Sequence, residues 1–286
     1  MSTTRIAFIH ALSPLHAGTG QSLGAVDLAI ARERSTGMPY LPGSSIKGAL
    51  RDKARQELGE KEVVKVFGPD TANASEHAGS VVFGDANLLL LPVRSIAGTF
   101  AWVTSPYLLS RYLRDLREAG KPADVDPKVF AMTDPAKVRV CKDSILVLKS
   151  QSPRVYFEDL DFAPEETADL SKVAASLEAL KLANLAGRLC VVHDDVMSYL
   201  AQHAMDVVTR VSLDAETKTA KKGQLWTEES LPTESVLLSV LAATPSKKAG
   251  ISATEAIDQL KKLFETSVQF GGKSTVGRGR CAVKLA

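Results

Sequence analysis

The chain begins and ends on short apolar segments with the character of strands, residues 5–12 (RIAFIHAL) and residues 280–285 (RCAVKL). Between them lie several amphipathic helical patterns. A chain built this way is most simply folded by bringing its two ends into one sheet and packing helices on it. That is the α+β class, on a mainly antiparallel sheet. Ile46, Leu50, Ala54 and Leu58 recur every fourth residue, which draws one apolar stripe along a helix. Ser44 or Ser45 is placed to cap its first N–H groups. Helices are also expected over residues 106–118, 165–185 and 194–205, and from a Ser252/Glu255 capping box through residue 264. Residues 81–91 (interrupted at Gly84 and Asp85), 99–104, 154–162, 189–193 and 235–243 read as strands. Residues 207–213 and 224–231 are extended arms around a polar, Lys-rich tip, so residues 207–231 predict a protruding hairpin. No linker divides the chain. A single domain over residues 1–286, with a ferredoxin-like (RRM-like) core carrying long insertions, accommodates the pattern.

Composition excludes several classes. At 286 residues, 45% hydrophobic and 24% charged, the chain is neither disordered nor collagen-like nor a disulfide-rich miniprotein. Cys141, Cys190 and Cys281 form no CxxC pair, which excludes a zinc ribbon and a dithiol redox motif and fits reduced thiols in the cytosol. No apolar run approaches the roughly 20 residues of a membrane span. A soluble, cytoplasmic protein with no membrane partner is expected. The formal charge of +2 suggests indifference to nucleic acid, yet it is a sum over opposed regions. Residues 32–55 hold six basic and two acidic side chains, residues 261–286 six and one, and residues 154–206 four and ten. The acidic middle is expected to face a neighbouring copy's basic surface.

Glycine follows the positive charge. Ten of nineteen glycines fall in residues 18–48 and 271–279, both basic. Glycine permits close backbone approach and leaves N–H groups free for an anion, so a phosphate backbone is the ligand these segments suggest. In the second stretch Gly271, Gly272, Lys273, Ser274 and Arg278 stand together. Gly272-Lys273-Ser274 imitates the end of a Walker A loop, but Ser267 stands where that motif requires glycine. The alternative is a flexible basic turn. In the first stretch a helix N-terminus with Ser44, Ser45, Lys47 and Arg51 offers hydroxyls, cations and a positive dipole end. An ordinary capped helix with solvated cations explains them equally well. His16 is of the residue type most often used to transfer protons. Asp27 stands alone among apolar residues, able to position a hydroxyl, take a proton or hold a metal, or else to pair with Arg32 or Arg34. His193-Asp194-Asp195 reads as a helix start rather than a metal cluster, and His203 as a packed core histidine.

Residues 10–20 (HALSPLHAGTG), then Val26-Asp27-Leu28, Ala31-Arg32-Glu33 and residues 42–48 (PGSSIKG), together with the closing glycine loop, resemble the RAMP superfamily of CRISPR proteins. Their order and spacing are most similar to its family of repeating backbone subunits, the fourth subunit of type III-B Cmr effector complexes. That resemblance implies a ferredoxin-like palm and a thumb hairpin. It implies copies stacked along a CRISPR RNA, with thumbs that displace a base pair at regular intervals and a target single-stranded RNA cut beside each displacement. The implied partners are CRISPR RNA, target RNA, further copies of the chain and the other Cmr subunits. By the same resemblance Asp27 is the loop aspartate required for cleavage, and His16 the nearby loop histidine. Ser44, Ser45, Lys47 and Arg51 form a guide-phosphate site, and Gly271, Gly272, Lys273, Ser274 and Arg278 an RNA-binding loop. Glu228 is an acidic residue approaching the cut, and Ser230 stands where a tyrosine is expected. A divalent ion, Mg2+, is the implied cofactor; its ligands are not assigned, and Asp27 is a candidate. The competing expectations are a non-catalytic RNA-filament subunit, a guide-processing endoribonuclease and a DNA-targeting backbone subunit.

Overall fold

The computed structural model describes residues 2–20, 24–70 and 77–286. In chain order the elements are β1 (Thr3–Ala11), β2 (Tyr40–Leu41), α1 (Gly43–Glu57), α2 (Glu60–Phe67), β3 (Val81–Phe83) and β4 (Ala86–Arg94). Then come β5 (Phe100–Thr104), α3 (Pro106–Glu118), β6 (Lys137–Val140), β7 (Val155–Phe157), β8 (Leu160–Glu166) and α4 (Ala168–Ser176). They are followed by α5 (Leu185–Arg188), β9 (Leu189–Val192), α6 (Asp194–His203), β10 (Asp206–Leu213) and β11 (Ala220–Ser230). The chain closes with β12 (Val236–Ala243), α7 (Ala253–Leu263), β13 (Val268–Gln269) and β14 (Arg280–Leu285).

Among the described residues, twelve strands form one sheet. Its main path runs β13-β14-β1-β12-β4-β5-β9-β6-β8-β7, with β2 on β4 and β3 on β12. The two terminal strands do meet: β1 pairs antiparallel with β14 on one side and with β12 on the other. Antiparallel pairing dominates, with β5–β9 and β6–β8 parallel. β1 shows why its sequence is an almost unbroken apolar run. Ile6 and Phe8 enter one core while Ala7, Ile9 and Ala11 enter another, so the strand is buried on both faces. One core is closed by the apolar stripes of α1 (Ile46, Leu50, Ala54), α2, α6 and α7. The other is closed by α3 (Leu109, Tyr112, Leu113, Leu116) and α4.

β10 and β11 form a separate two-stranded ladder joined at its root to the main body. Its outer part buries little. Val207, Val211, Leu213 and Leu225 are 44–68% exposed, an apolar face open to solvent. Asp214 organises the tip by accepting hydrogen bonds from the N–H groups of Glu216 and Thr217.

Three local expectations are corrected. Neither Ser44 nor Ser45 caps α1; the N-cap is Pro42, and Asp85 from the β3–β4 turn accepts from Gly43 N at 2.7 Å. The helix expected over residues 165–185 is shorter, because β8 continues to Glu166 to pair with β6, and α4 ends at Ser176. His203 is exposed and stacks on Tyr199, with ring centroids 4.2 Å apart. His193 does sit at a helix start, where its ring accepts from Asp195 N.

Candidate functional site

The root of the β10–β11 hairpin is where the segments singled out by sequence meet. On the edge of β11 away from β10, residues 27–30 add a short parallel pairing. Leu28 N donates to Thr227 O and Glu229 N donates to Leu28 O, each at 3.0 Å. Asp27 turns its side chain onto the same edge. Its Oδ2 accepts from Thr227 N at 2.8 Å and from Thr227 Oγ1 at 2.9 Å, while Asp27 N donates to Thr227 Oγ1 at 3.0 Å. Asp27 is exposed, and these donors, the Thr227 backbone N–H first, hold its carboxyl below the usual aspartate value. Two residues on, Glu229 is buried. Its carboxylate accepts from Ile30 N at 3.0 Å and from Arg32 Nη2 at 2.5 Å. Arg32 Nη1 reaches the carbonyls of Gly37 and Ala201, both at 2.8 Å. The Asp27 loop is thereby fastened to β11 and to α6.

Strand alternation sends Glu228 and Ser230 to the other face of β11. There Glu228, 4% exposed, accepts from Trp226 Nε1 at 2.7 Å and Lys273 Nζ at 3.0 Å, with Arg210 Nε at 3.6 Å. Burial alone would raise its pKa. The hydrogen bonds from Trp226 and Lys273 and the charges of Lys273 and Arg210 outweigh that and hold it below the usual value. Arg278 is buried beside Ser230, with Nη1 3.5 Å from its hydroxyl. Asp206 is pushed up by burial, which Arg278 partly offsets.

His16 is buried between these parts. Its Nδ1 lies 2.7 Å from the Glu229 carbonyl, which only accepts, so Nδ1 carries the proton. The His16 carbonyl accepts from Gly272 N at 2.9 Å. Position 271 demands glycine twice over: its φ is +70°, and a Cβ would lie 2.4 Å from His16 O.

An open groove of about 820 Å³ separates the glycine loop from α1. Ser45, Gly18, Gly271, Gly272 and Ser274 line it, along with Asp52 and Lys53. Lys53 ties α1 across the groove's end, donating to Thr266 Oγ1 at 2.7 Å. The expected phosphate contacts therefore divide. Ser45 and the loop residues Gly271, Gly272 and Ser274 share the groove; Ser44 is exposed in the same first turn of α1, and Lys47 is half-buried one turn on. Lys273 is engaged with Glu228 and Arg278 is buried at the hairpin root. Arg51 turns to Gly68 O and Asp70, at 3.0 and 2.8 Å.

Thr227, Glu229 and Lys53 join the site without a role expected for them from the sequence. Thr227 and Glu229 carried a weak signal, since they alternate with Glu228 on a strand whose other edge had no assigned partner. Among the described residues, no group of three or more His, Cys, Asp or Glu side chains is disposed to hold a metal ion. Asp27 offers a single carboxylate, which suits a cation whose other ligands are nucleic-acid oxygens and water.

A family model described as the RAMP superfamily matches residues 8–282. The protein named CRISPR system Cmr endoribonuclease Cmr4, from Pyrococcus furiosus, is 34% identical over 281 residues, spanning 97% of this chain and 94% of that one. CRISPR system CMR subunit Cmr4 from Saccharolobus solfataricus is 27% identical, spanning 95% and 93%. Among solved structures, oligomeric Cmr4 from Pyrococcus furiosus superposes with a TM-score of 0.73 at 25% identity, over 99% of this chain and 97% of that one. A chain in a cryo-EM structure of type III-B Cmr-β bound to cognate target RNA gives a TM-score of 0.78 at 25% identity, over 99% and 96%.

Proposed function

Because the chain belongs to the RAMP superfamily and, within it, to the Cmr4 family, we propose that it is the repeating backbone subunit of a type III-B CRISPR ribonucleoprotein. In that role it binds CRISPR RNA, stacks with further copies of itself and with other Cmr subunits in the cytoplasm, and cuts complementary target RNA at regular intervals. The observation that carries the reading is the convergence of an exposed, ionised Asp27 and the basic glycine loop at the root of one projecting hairpin. The hairpin serves as the thumb, and the sheet around β1 and β12 as a ferredoxin-like palm.

The chemistry is internal displacement within the RNA. A 2′-hydroxyl attacks the adjacent phosphorus and gives its proton to water, and the P–O5′ bond breaks as the leaving O5′ takes a proton from water, which leaves a 2′,3′-cyclic phosphate and a 5′-hydroxyl. The hairpin's share is geometric: a nucleotide pushed out of the helical stack can bring its 2′-oxygen in line with the leaving oxygen. Asp27 is held ionised by Thr227, which makes it a weak proton acceptor and suits it to orienting the hydroxyl or holding positive charge. A divalent cation such as Mg2+, held by Asp27, would neutralise charge on the phosphate oxygens. Glu228 sets the position of Lys273 beside the scissile region. His16 fixes the spacing between the glycine loop and β11. Ser45 and the loop N–H groups bind guide phosphates along the groove, and Lys47, from the next turn of α1, adds a cation to the same guide strand.

Asp27→Asn keeps a side-chain acceptor for Thr227 and removes the charge. In a complex reconstituted with this chain, target cutting should fall by roughly 100-fold or more while assembly and RNA binding persist. Undiminished cutting would remove Asp27 from the mechanism.

A further inference from the structure

We propose that Thr227 is the positioning residue for the cleavage aspartate, a role that rests on the function proposed above. Thr227 and Asp27 are 200 residues apart in sequence and make three mutual hydrogen bonds. The Thr227 hydroxyl takes part in two of them. It accepts from Asp27 N and donates to Asp27 Oδ2, and so fixes the aspartate's main chain and side chain from one oxygen. The backbone N–H of Thr227 supplies the third bond, to the same Oδ2. Both Thr227 donors meet Oδ2, so the clamp does not use Oδ1 and sets the plane in which that oxygen is presented.

The sheet geometry explains why the clamp sits here. The N–H and C=O of Thr227 point away from β10, toward the edge where residues 27–30 have joined. Leu28 N takes the carbonyl. The chain then turns off the edge at Asp27, and its carboxylate substitutes for the strand carbonyl that would otherwise accept from Thr227 N. A hydroxyl on a β-branched side chain is well suited to the second contact, because its χ1 choices are few and the oxygen is held in place. The neighbours on the same strand act elsewhere: Glu228 engages Lys273 from the opposite face, and Glu229 engages Arg32. Within the clamp the Thr227 side chain is therefore the only group that a substitution can remove without touching the aspartate itself.

The test uses the assembled complex with four versions of this chain: unaltered, Thr227→Val, Thr227→Ser and Asp27→Asn. Single-turnover target cleavage is measured across target concentrations, with guide and target binding measured in parallel. Thr227→Val is near-isosteric and leaves the backbone N–H in place. It should lower the maximal cleavage rate roughly 10- to 100-fold, the scale of losing the hydroxyl's two hydrogen bonds to Asp27, with half-saturating target concentration unchanged. Thr227→Ser restores the hydroxyl and should recover most of the rate. If Asp27→Asn is inactive while Thr227→Val cuts at the normal rate, the positioning role is wrong and the wider reading stands. If Asp27→Asn itself cuts normally, it is the wider reading that fails. Should Thr227→Val not assemble, Thr227→Ser decides alone. A rate near that of the unaltered chain supports the hydroxyl as the working group, and a rate as low as that of Asp27→Asn overturns it.

Discussion

At the scale of single residues, Glu228 shows how one carboxylate can be both buried and ionised. Burial opposes its charge, and Trp226, Lys273 and Arg210 restore it. A folded-state pKa held below the unfolded value means that Glu228 stabilises the fold above its ordinary pKa, and that this contribution is lost as pH falls through the lowered one. Glu228→Gln should accordingly destabilise the chain at neutral pH by about 1–2 kcal/mol, with Lys273 left facing a neutral amide. The gap between variant and parent melting temperatures should hold from pH 7 down to the ordinary glutamate pKa and close as pH falls below it, through the lowered value. A gap that stayed constant over that range would show that the loss is one of packing. Asp27, His16 and Glu228 could be singled out as candidates because they lie in short motifs that resemble those of the family. Thr227 and Arg32 could not, since what each one does depends on a strand edge about 200 residues away.

At the scale of elements, local pattern and long-range pairing compete. The stripe Ile46, Leu50, Ala54 located α1, and the Ser252–Glu255 box located α7, because helix periodicity and capping are local properties. The Ala/Leu-rich stretch after residue 165 misled for the opposite reason. Arg139 and Val140 pair with Glu165 and Glu166, and that parallel ladder overrides helix propensity at the segment's start. The N-terminus of α1 is fixed by packing that the sequence did not announce. A Cβ at Gly43 would lie 2.3 Å from the Phe83 carbonyl oxygen, so the helix start sits directly on the β3–β4 turn, with Asp85 accepting from its first N–H. Gly43→Ala should therefore push this turn of α1 outward, at a cost of about 1–3 kcal/mol. It should weaken guide RNA binding more than target cleavage by complexes already assembled, since Ser45 lines the groove and Asp27 lies elsewhere. Guide affinity equal to that of the parent, in a variant shown to be destabilised, would separate α1 from the phosphate track.

At the scale of the whole molecule, the near-neutral charge of +2 conceals the separation that matters. The fold gathers α1, from the first basic segment, and the glycine loop, from the last, around one groove, because β1 and β14 are neighbours in the sheet. The acidic middle lies partly neutralised by its own neighbours: Glu165 meets Lys137 at 2.5 Å and Asp169 meets Lys172 at 3.0 Å. The meeting of the chain ends could be read from two terminal strands. The route of the middle of the sheet, from β5 across β9 to β6 and β8, could not, since strand order there depends on partners far apart in sequence. Among the cations of the two basic segments the fold also discriminates, and this makes the salt dependence of binding informative. Arg51 is spent on Gly68 and Asp70, and Arg278 is buried, so neither should release a counterion when RNA binds. Lys47, half-buried one turn into α1, should, as the cation of the proposed phosphate contact. Lys47→Ala should reduce the slope of log affinity against log salt for single-stranded guide RNA by about 0.7, the value of one neutralised phosphate. Arg51→Ala should leave that slope unchanged and act on thermal stability instead, through loss of its contacts to the end of α2. If the two variants exchanged these effects, Arg51 and not Lys47 would be the cation that meets the guide phosphates.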